Sequence, residues 1–532
     1  MGFIAANRSQ MRLLGYSLDD FVPAEARCRF VVRIVQELDL SGLYADYSPQ
    51  GGDAYDPATL LATWFFAYSE GISSTRRLEA LCGRDMHYMY VSANLQPDHT
   101  TLSRFRQRHA GRLSEYFVQI IRLAAEREVS AFHHILIDGS KFQAASSSRQ
   151  NRGVKDLQAE LAKVKERIAE YLKRSELLDE EDAERGELGE VRRKIERLQA
   201  LERTLNERQT QLDERKRALQ TKDRSKHKIN LVEPEARNMN RVNGHPAAPA
   251  YNAQLSVDAE TQLIVAAQVS DAPNDRNEFS RQHTEVEENL GADPQRQYTT
   301  DAGYHSLEQL EYVDEENVNA VIADPRPGTR TASDAEQTQP GQTPEVFRRG
   351  DFRYDRDADE YDCPAGGRLK YWYTENKRGR RIRHYRTGDC AGCSQRKRCM
   401  AGSKPGTNRT VTRDEAEQLA EAMGRKAASP DGRRRLKERA TTVEPVIGNL
   451  KANLGFRRFR LRGKAKAGAE FLLMCIGHNL GKLHGLMSSG FRRSAAAAGI
   501  TLDRLLSLVN RWPGRFIEQL WRHQAPPFSH AA

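Results

Sequence analysis

From Val191 an aliphatic residue recurs at every seventh position: Val191, Leu198, Leu205, Leu212 and Leu219, on a background that is mostly charged. That period commits the stretch to helix, because a helix returns every seventh residue to nearly the same face. A second stripe precedes it, in which Val154, Leu157, Leu161, Val164, Ile168 and Tyr171 keep three-four spacing. Between the two lies the polar, Gly-bearing "LLDEEDAERGELGE". Two apolar stripes around a break predict an antiparallel helical hairpin over 154–222, with an intermolecular coiled coil as the alternative. The hairpin carries no chemistry of its own and reads as an insertion into a chain of different texture.

The flanks of that insertion fix the class. Residues 1–130 are predicted helical: "DPATLLATWFFAYSEG" has Asp56 as N-cap, Pro57 at the first helical position and Gly71 as terminator. Arg104, Arg106 and Arg108 on a later helix suit a helix-turn-helix DNA reader, or equally a plain bundle. Residues 131–153 begin a catalytic strand, "HHILI", that stops at Asp138-Gly139. Residues 223–340 hold a β-hairpin ("AYNAQLSVDAETQLIVAAQVSD") followed by helix, strand, helix and strand. This is the pattern of a mixed α/β sheet. Residues 341–410 contain a basic segment and four cysteines, and 328–350 is a Pro/Thr/Gln-rich link. Residues 411–485 read as helical, ending in an apolar helix with His478 and Asn479, and 486–532 form a tail with one amphipathic helix.

Charge narrows the partners. Lys and Arg exceed Asp and Glu by 83 to 73, and the excess is clustered. Residues 433–466 carry twelve Lys or Arg against Glu438 and Glu444 alone, and "KRGRRIRHYR" (377–386) carries six cations and no acid. Such clusters suit a phosphate backbone, where each neutralised phosphate releases counterions. No apolar run reaches the roughly 18 residues that span a bilayer, and the N-terminus has no apolar signal segment. Seven cysteines do not make a disulfide scaffold. The chain reads as a cytoplasmic protein without membrane association.

Two acids share a placement. Asp138 follows "HHILI" and Asp301 follows "RQYTT", each expected at the C-terminal end of a strand, where an α/β sheet places its active site. Glu444 lies on a helix predicted over about 433–452, next to Pro445. Carboxylates brought together repel unless a divalent cation sits among them, and Mg²⁺ prefers such hard oxygen ligands. Paired ions can activate a water or a 3′-hydroxyl for phosphodiester chemistry.

Seven motifs in order carry a resemblance: "PDHTTLSRFR", "LIDGSKFQA", "YNAQLSVD", "TTDAGYHS", "TVEPVIGNLK", "GFRRFRLRG" and "GHNLGKL". The chain resembles the DDE transposases of bacterial insertion sequences, in the group with an InsH-type N-terminal helical domain and an RNase H-like catalytic domain. The resemblance implies that Asp138, Asp301 and Glu444 are the catalytic triad and the ligands of Mg²⁺ or Mn²⁺. It implies that Lys451, seven residues after Glu444, contacts terminal DNA phosphate. Arg439 is the candidate for the companion Arg, although it stands five before Glu444 rather than four, and Leu436 takes the place of the signature's Tyr. Arg104, Lys141, Tyr304, Arg457 and Arg458 complete the expected DNA contacts. The partners implied are double-stranded DNA, at the element's terminal inverted repeats and at the target, and further copies of the chain in a dimer or larger assembly. The alternative is a catalytically inactive DNA-binding protein derived from a transposase.

Cys363, Cys390, Cys393 and Cys399 follow the pattern C-x26-C-x2-C-x5-C. A C-x2-C turn suits tetrahedral thiolate coordination, so the four are a candidate structural Zn²⁺ site, with free buried thiols as the other reading. The basic stretch among them makes the segment a candidate DNA-contacting flap.

Overall fold

The computed structural model describes residues 3–4, 17–48, 53–180, 185–218, 227–242, 245–324, 347, 349–377, 380–388, 390–400, 403–404, 406–414 and 416–497. The main N-terminal helices are α1 (Arg27–Glu37), α2 (Pro57–Ser69), α3 (His99–Arg108) and α4 (Leu113–Glu126). Strand β1 (His134–Gln143) follows, then the long helices α5 (Val154–Glu180) and α6 (Arg185–Ala218). Strands β2 (Arg237–Val242), β3 (His245–Asp258) and β4 (Ile264–Ser270) come next. After them α7 (Phe279–Leu290), β5 (Gln297–Thr300), α8 (Leu307–Glu315) and β6 (Ala320–Ile322) alternate. Five short strands follow: β7 (Arg353–Asp355), β8 (Glu360–Asp362), β9 (Arg368–Lys377), β10 (Arg380–Arg386) and β11 (Thr410–Asp414). The last helices are α9 (Glu417–Ala428), α10 (Pro430–Gly448) and α11 (Lys464–Ala497). The protein is mixed α/β with a helical N-terminal region. No helix among the described residues is long and apolar enough to cross a membrane.

The chain divides into two compact units. One holds residues 1–131, 139–273 and 445–532; the other holds 132–138 and 274–444. Strand β1 and helix α10 each run from one into the other.

In the first unit α2 starts as its sequence dictates. The Asp56 carboxylate accepts from the Thr59 N–H at 3.0 Å, with Pro57 at the first helical position. Trp64, Phe65 and Tyr68 are buried along it. Helix α11 lies against α2, and a Cβ on Gly477 would sit 2.6 Å from the Tyr68 carbonyl carbon, so only glycine allows that approach. Strand β3 pairs antiparallel with β2 (Met239 opposite Ala248) and with β4 (Leu255 opposite Ala267). The β3–β4 hairpin follows the sequence expectation. Strand β2 is additional: "RNMNRV" is too polar to announce itself, and it pairs as the outer strand beside β3. In the α5–α6 hairpin Leu157, Leu161, Val164 and Ile168 bury with Leu205, Leu212 and Ile229. The start of α5 thus meets the end of α6, the antiparallel pairing expected from the stripes; Leu219 lies outside the described residues.

In the second unit β5 pairs in parallel with β6 (Tyr298 opposite Ala320) and with the start of β1 (Leu136 opposite Thr299). Strands β7 to β11 form a separate antiparallel sheet in chain order, over a core of Phe352, Tyr361, Leu369, Tyr385, Cys399 and Val411. Strand β11 extends the cysteine-bearing region to Asp414, past the expected boundary at 410. Most of the expected link at 328–350 and the tail helix lie outside the described residues.

Candidate active site

Helix α10 builds the centre of the second unit through two buried arginines one turn apart. Arg435 is 1% exposed, and its guanidinium donates to the carbonyls of Tyr298 (2.7 Å) and Asn319 (3.1 Å) and to Thr299 Oγ1 (3.2 Å). Those partners lie on or next to β5 and β6, so the arginine ties the helix to the parallel strands. One turn on, Arg439 is also buried. Its Nη2 stands 2.8 Å from Asp138 Oδ1 and 3.5 Å from Asp301 Oδ2, and its Nε donates to the Ile137 carbonyl at 3.4 Å. Two carboxylates on adjacent parallel strands therefore share one guanidinium. Two like charges brought this close repel, and the shared cation offsets that repulsion.

Each carboxylate is held by local structure. Asp301 directly follows β5 and caps a short 3₁₀ turn, its Oδ1 accepting from the Gly303 N–H at 2.8 Å. A Cβ on Gly303 would meet that oxygen at 2.9 Å and Asp275 Oδ2 at 3.4 Å. Asp138 departs from expectation. It lies mid-strand rather than at a strand end, because β1 continues to Gln143 with Phe142 fully buried. Asp275, in the loop before α7, is a third carboxylate at this centre that the sequence reading missed. Its signal was the same as that of Asp301: an acid in the loop that follows a strand.

Tyr304, expected at the substrate, is fully buried. Burial first, then the charges of Asp275, Asp138 and Asp301, hold its hydroxyl well above the usual phenol range, so it stays neutral. It is a neutral, fully buried neighbour of the three carboxylates, with no exposed surface. Arg439 places its charge against Asp138 and Asp301 rather than facing solvent. Glu444 is exposed on α10, one residue past the buried positions Arg435, Arg439 and Val443. Among the described residues no group of three or more His, Cys, Asp or Glu is placed to hold a metal ion. The Asp138–Asp301 pair itself fits a hard divalent cation: Mg²⁺ is held by one or two carboxylates and completes its shell with water and phosphate oxygens. Arg439 marks the position where positive charge is already required.

In the first unit the other expected DNA contacts gather at the end of β1. Lys451 Nζ donates to Ser140 Oγ (2.7 Å) and the Lys141 carbonyl (2.8 Å) and lies 4.6 Å from the Phe142 ring centroid. The segment beyond it is zipped to the strand: Gln143 N–H donates to the Arg457 carbonyl, and Phe459 N–H to the Gln143 carbonyl. Arg458 grips the carbonyls of Ala144 (3.0 Å) and Ala145 (2.8 Å), and Lys141 Nζ reaches the Asn240 carbonyl (3.2 Å). Lys141, Lys451, Arg457 and Arg458 thus form one basic group. Arg104 is exposed on α3, whereas Arg106 is buried, donating to Tyr68 Oη and lying over Trp64.

The four cysteines of the second unit are free thiols that line one small cavity with Arg396, Met400 and Arg409. The Arg409 N–H donates to Cys390 Sγ at 3.3 Å. Burial, with the other three sulfurs nearby, raises the Cys399 thiol above its ordinary value. The donor set suits a structural Zn²⁺, although among the described residues no group of three or more such side chains is placed to hold a metal ion.

Two family models match the chain. The Transposase DDE domain matches residues 362–484, and the Transposase domain (DUF772) matches residues 11–108. Together they support a DDE transposase of insertion-sequence type. No curated protein matches the chain. The DDE-domain match covers Glu444, Lys451 and all four cysteines, and the N-terminal match covers Arg104. Asp138 and Asp301 fall outside both matches; their claim rests on the shared guanidinium.

Proposed function

We propose that the protein binds the terminal inverted repeats of an insertion sequence and performs divalent-cation-dependent strand cleavage and strand transfer on an RNase H-like catalytic sheet. The observation that carries this reading is the convergence of Asp138 and Asp301 on one cationic group. Asp138 and Asp301 would hold Mg²⁺ or Mn²⁺ in place of the Arg439 contact, with Glu444 joining from α10 when DNA is bound. A divalent cation bound there would make a water or a 3′-hydroxyl nucleophilic and stabilise the leaving oxygen. Arg435 fixes α10, Tyr304 supports the carboxylates without titrating, and Arg439 offsets the charge of both aspartates. Water attacks the scissile phosphorus and the 3′ oxygen leaves; that 3′-hydroxyl then attacks a target phosphorus and releases a target 3′-hydroxyl. Lys141, Lys451, Arg457 and Arg458 hold phosphates, and Arg104 contributes from the N-terminal helices. A dimer or larger assembly follows from the need to join two ends.

Cleavage of an end-sequence duplex in Mg²⁺ tests the assignment. Asp138→Asn, Asp301→Asn and Glu444→Gln are each expected to bind the duplex and fail to cut it. Cutting at the wild-type rate by any of the three removes that residue from the site. Binding without cutting by the wild type favours the inactive, DNA-binding alternative.

A further inference from the structure

The β9–β10 hairpin carries a feature that phosphate neutralisation does not use. Strand β9 contains three consecutive aromatics, Tyr371, Trp372 and Tyr373, exposed to 47%, 53% and 40%. Regular alternation would turn at least one of them toward a sheet face shared with its neighbours. It does not, because Tyr371 pairs with Tyr385 and Tyr373 with His384, leaving Trp372 as the extra residue of a β-bulge. Beyond Leu369 no residue of β9 is buried.

Each ring is backed by a flat or cationic group. The Arg386 guanidinium lies 4.8 Å from the Trp372 centroid, and Arg383 lies 5.0 Å from Tyr371. His384 stacks on Tyr373 at 4.2 Å with planes 12° apart, and Trp372 meets Tyr373 edge-on at 4.7 Å. Residues 368–386 carry eight Lys or Arg against one acid, Glu375. Arg380 and Arg383 are already paired with carboxylates; Arg386 has none among the described residues.

We propose that this bulged aromatic face binds single-stranded DNA by stacking unpaired bases on Trp372 and Tyr373 while neighbouring cations hold the phosphates. Exposed rings attract bases only when the base faces are free, which a duplex denies them, and the positive hairpin matches a polyanion. An acidic protein segment would satisfy the charge but gains nothing specific from a row of flat rings. The inference extends the DNA reading without resting on the carboxylates, since binding is measured with divalent cations chelated.

The test uses the full chain in excess chelator with a labelled oligothymidylate and a duplex of equal length. Oligothymidylate is expected to quench tryptophan emission in the wild type, and the quench is expected to vanish in Trp372→Phe, which keeps the stacking surface and the affinity. Trp372→Ala and Tyr373→Ala are each expected to weaken single-strand binding about ten-fold, with duplex binding changed less than about two-fold. Unchanged melting of the variants checks that the fold survives. Equal losses for both DNAs, or an alanine variant that binds oligothymidylate as the wild type does, would overturn the proposal. So would quenching by polyglutamate with none by oligothymidylate, which would assign the face to an acidic protein.

Discussion

Arg439 is the residue on which the centre turns, because it satisfies two acids at once. Replacing it with Gln leaves Asp138 and Asp301 close together with no cation. The Arg439 and Asp138 side chains are only 10% and 14% exposed, so the loss should be that of a buried pair, about 3 kcal/mol. Arg439→Gln should therefore lower the melting temperature. Millimolar Mg²⁺ should restore the variant more than it stabilises the wild type, because the ion replaces the missing charge. Thermal melting across a Mg²⁺ series checks both; a deficit untouched by Mg²⁺ would show that Arg439 acts by packing alone. At this scale Asp301 was legible because its turn is local: the Asp, the Gly two residues on and the preceding strand are contiguous. Asp275 and Arg435 were not, since their roles arise from partners brought together by the fold, such as Arg435 with the Tyr298 carbonyl.

Elements are where the motif "GHNLGKL" finds its physical reason. Asn479 on α11 accepts from the Ile264 N–H (2.8 Å) and donates to the Ile264 carbonyl (2.8 Å), so one amide stands in for a strand partner at the edge of β4. Beside it, His478 Nε2 contacts the Gln262 carbonyl at 2.9 Å and Nδ1 the Asn449 amide at 3.0 Å, a pattern a neutral ring completes. Burial pushes the His478 pKa down to about 4. In the folded state the ring refuses a proton that the unfolded chain accepts below about pH 6.5. Stability should be full above pH 6.5 and fall by about 3 kcal/mol as pH drops to 4. His478→Gln should flatten part of that slope in denaturant melts; an unchanged slope would clear His478 of the effect. His134, also pushed down to about 4 by burial and then by Arg435 and Arg434, adds a decline of the same sign. The hairpin α5–α6 was legible because a heptad is a local signal. The end of β1 was not, because "GSKF" reads as a turn until Phe142 is buried and Gln143 finds its distant partner. The sheet β7–β11 has too small a core to be secure alone, and its four thiols already line one cavity. Drawn in to about 2.3 Å from a common ion, they would staple it. Elemental analysis of reduced protein should find one zinc per chain, and a strong chelator should lower its melting temperature; folded protein free of zinc and indifferent to the chelator rules the staple out.

For the whole molecule, total charge says less than where each charge ends. The excess of cations is +10, yet several are cancelled inside the protein, Arg439 by two aspartates and Arg380 by Glu311 and Asp414. Arg458 instead donates to neutral carbonyls, those of Ala144 and Ala145, and Arg104 is exposed on α3. The sequence showed the basic clusters but could not tell spent cations from available ones, since that depends on partners as distant as Asp138 is from Arg439. Salt dependence separates them. Each phosphate contact adds about 0.9 to the slope of log affinity against log salt on a duplex. Arg104→Gln and Arg458→Gln should each shallow the slope by about 1, with affinity falling alike for end and unrelated duplexes. Arg439→Gln should leave the slope where it was, although by the residue-scale reasoning it destabilises the centre. Titrations in chelator from low to moderate salt measure this without cutting. A slope that Arg439→Gln shallows as much as Arg458→Gln does would mean that Arg439 leaves the aspartates for phosphate when DNA binds, and the carboxylate pair would then need another cation to hold it together.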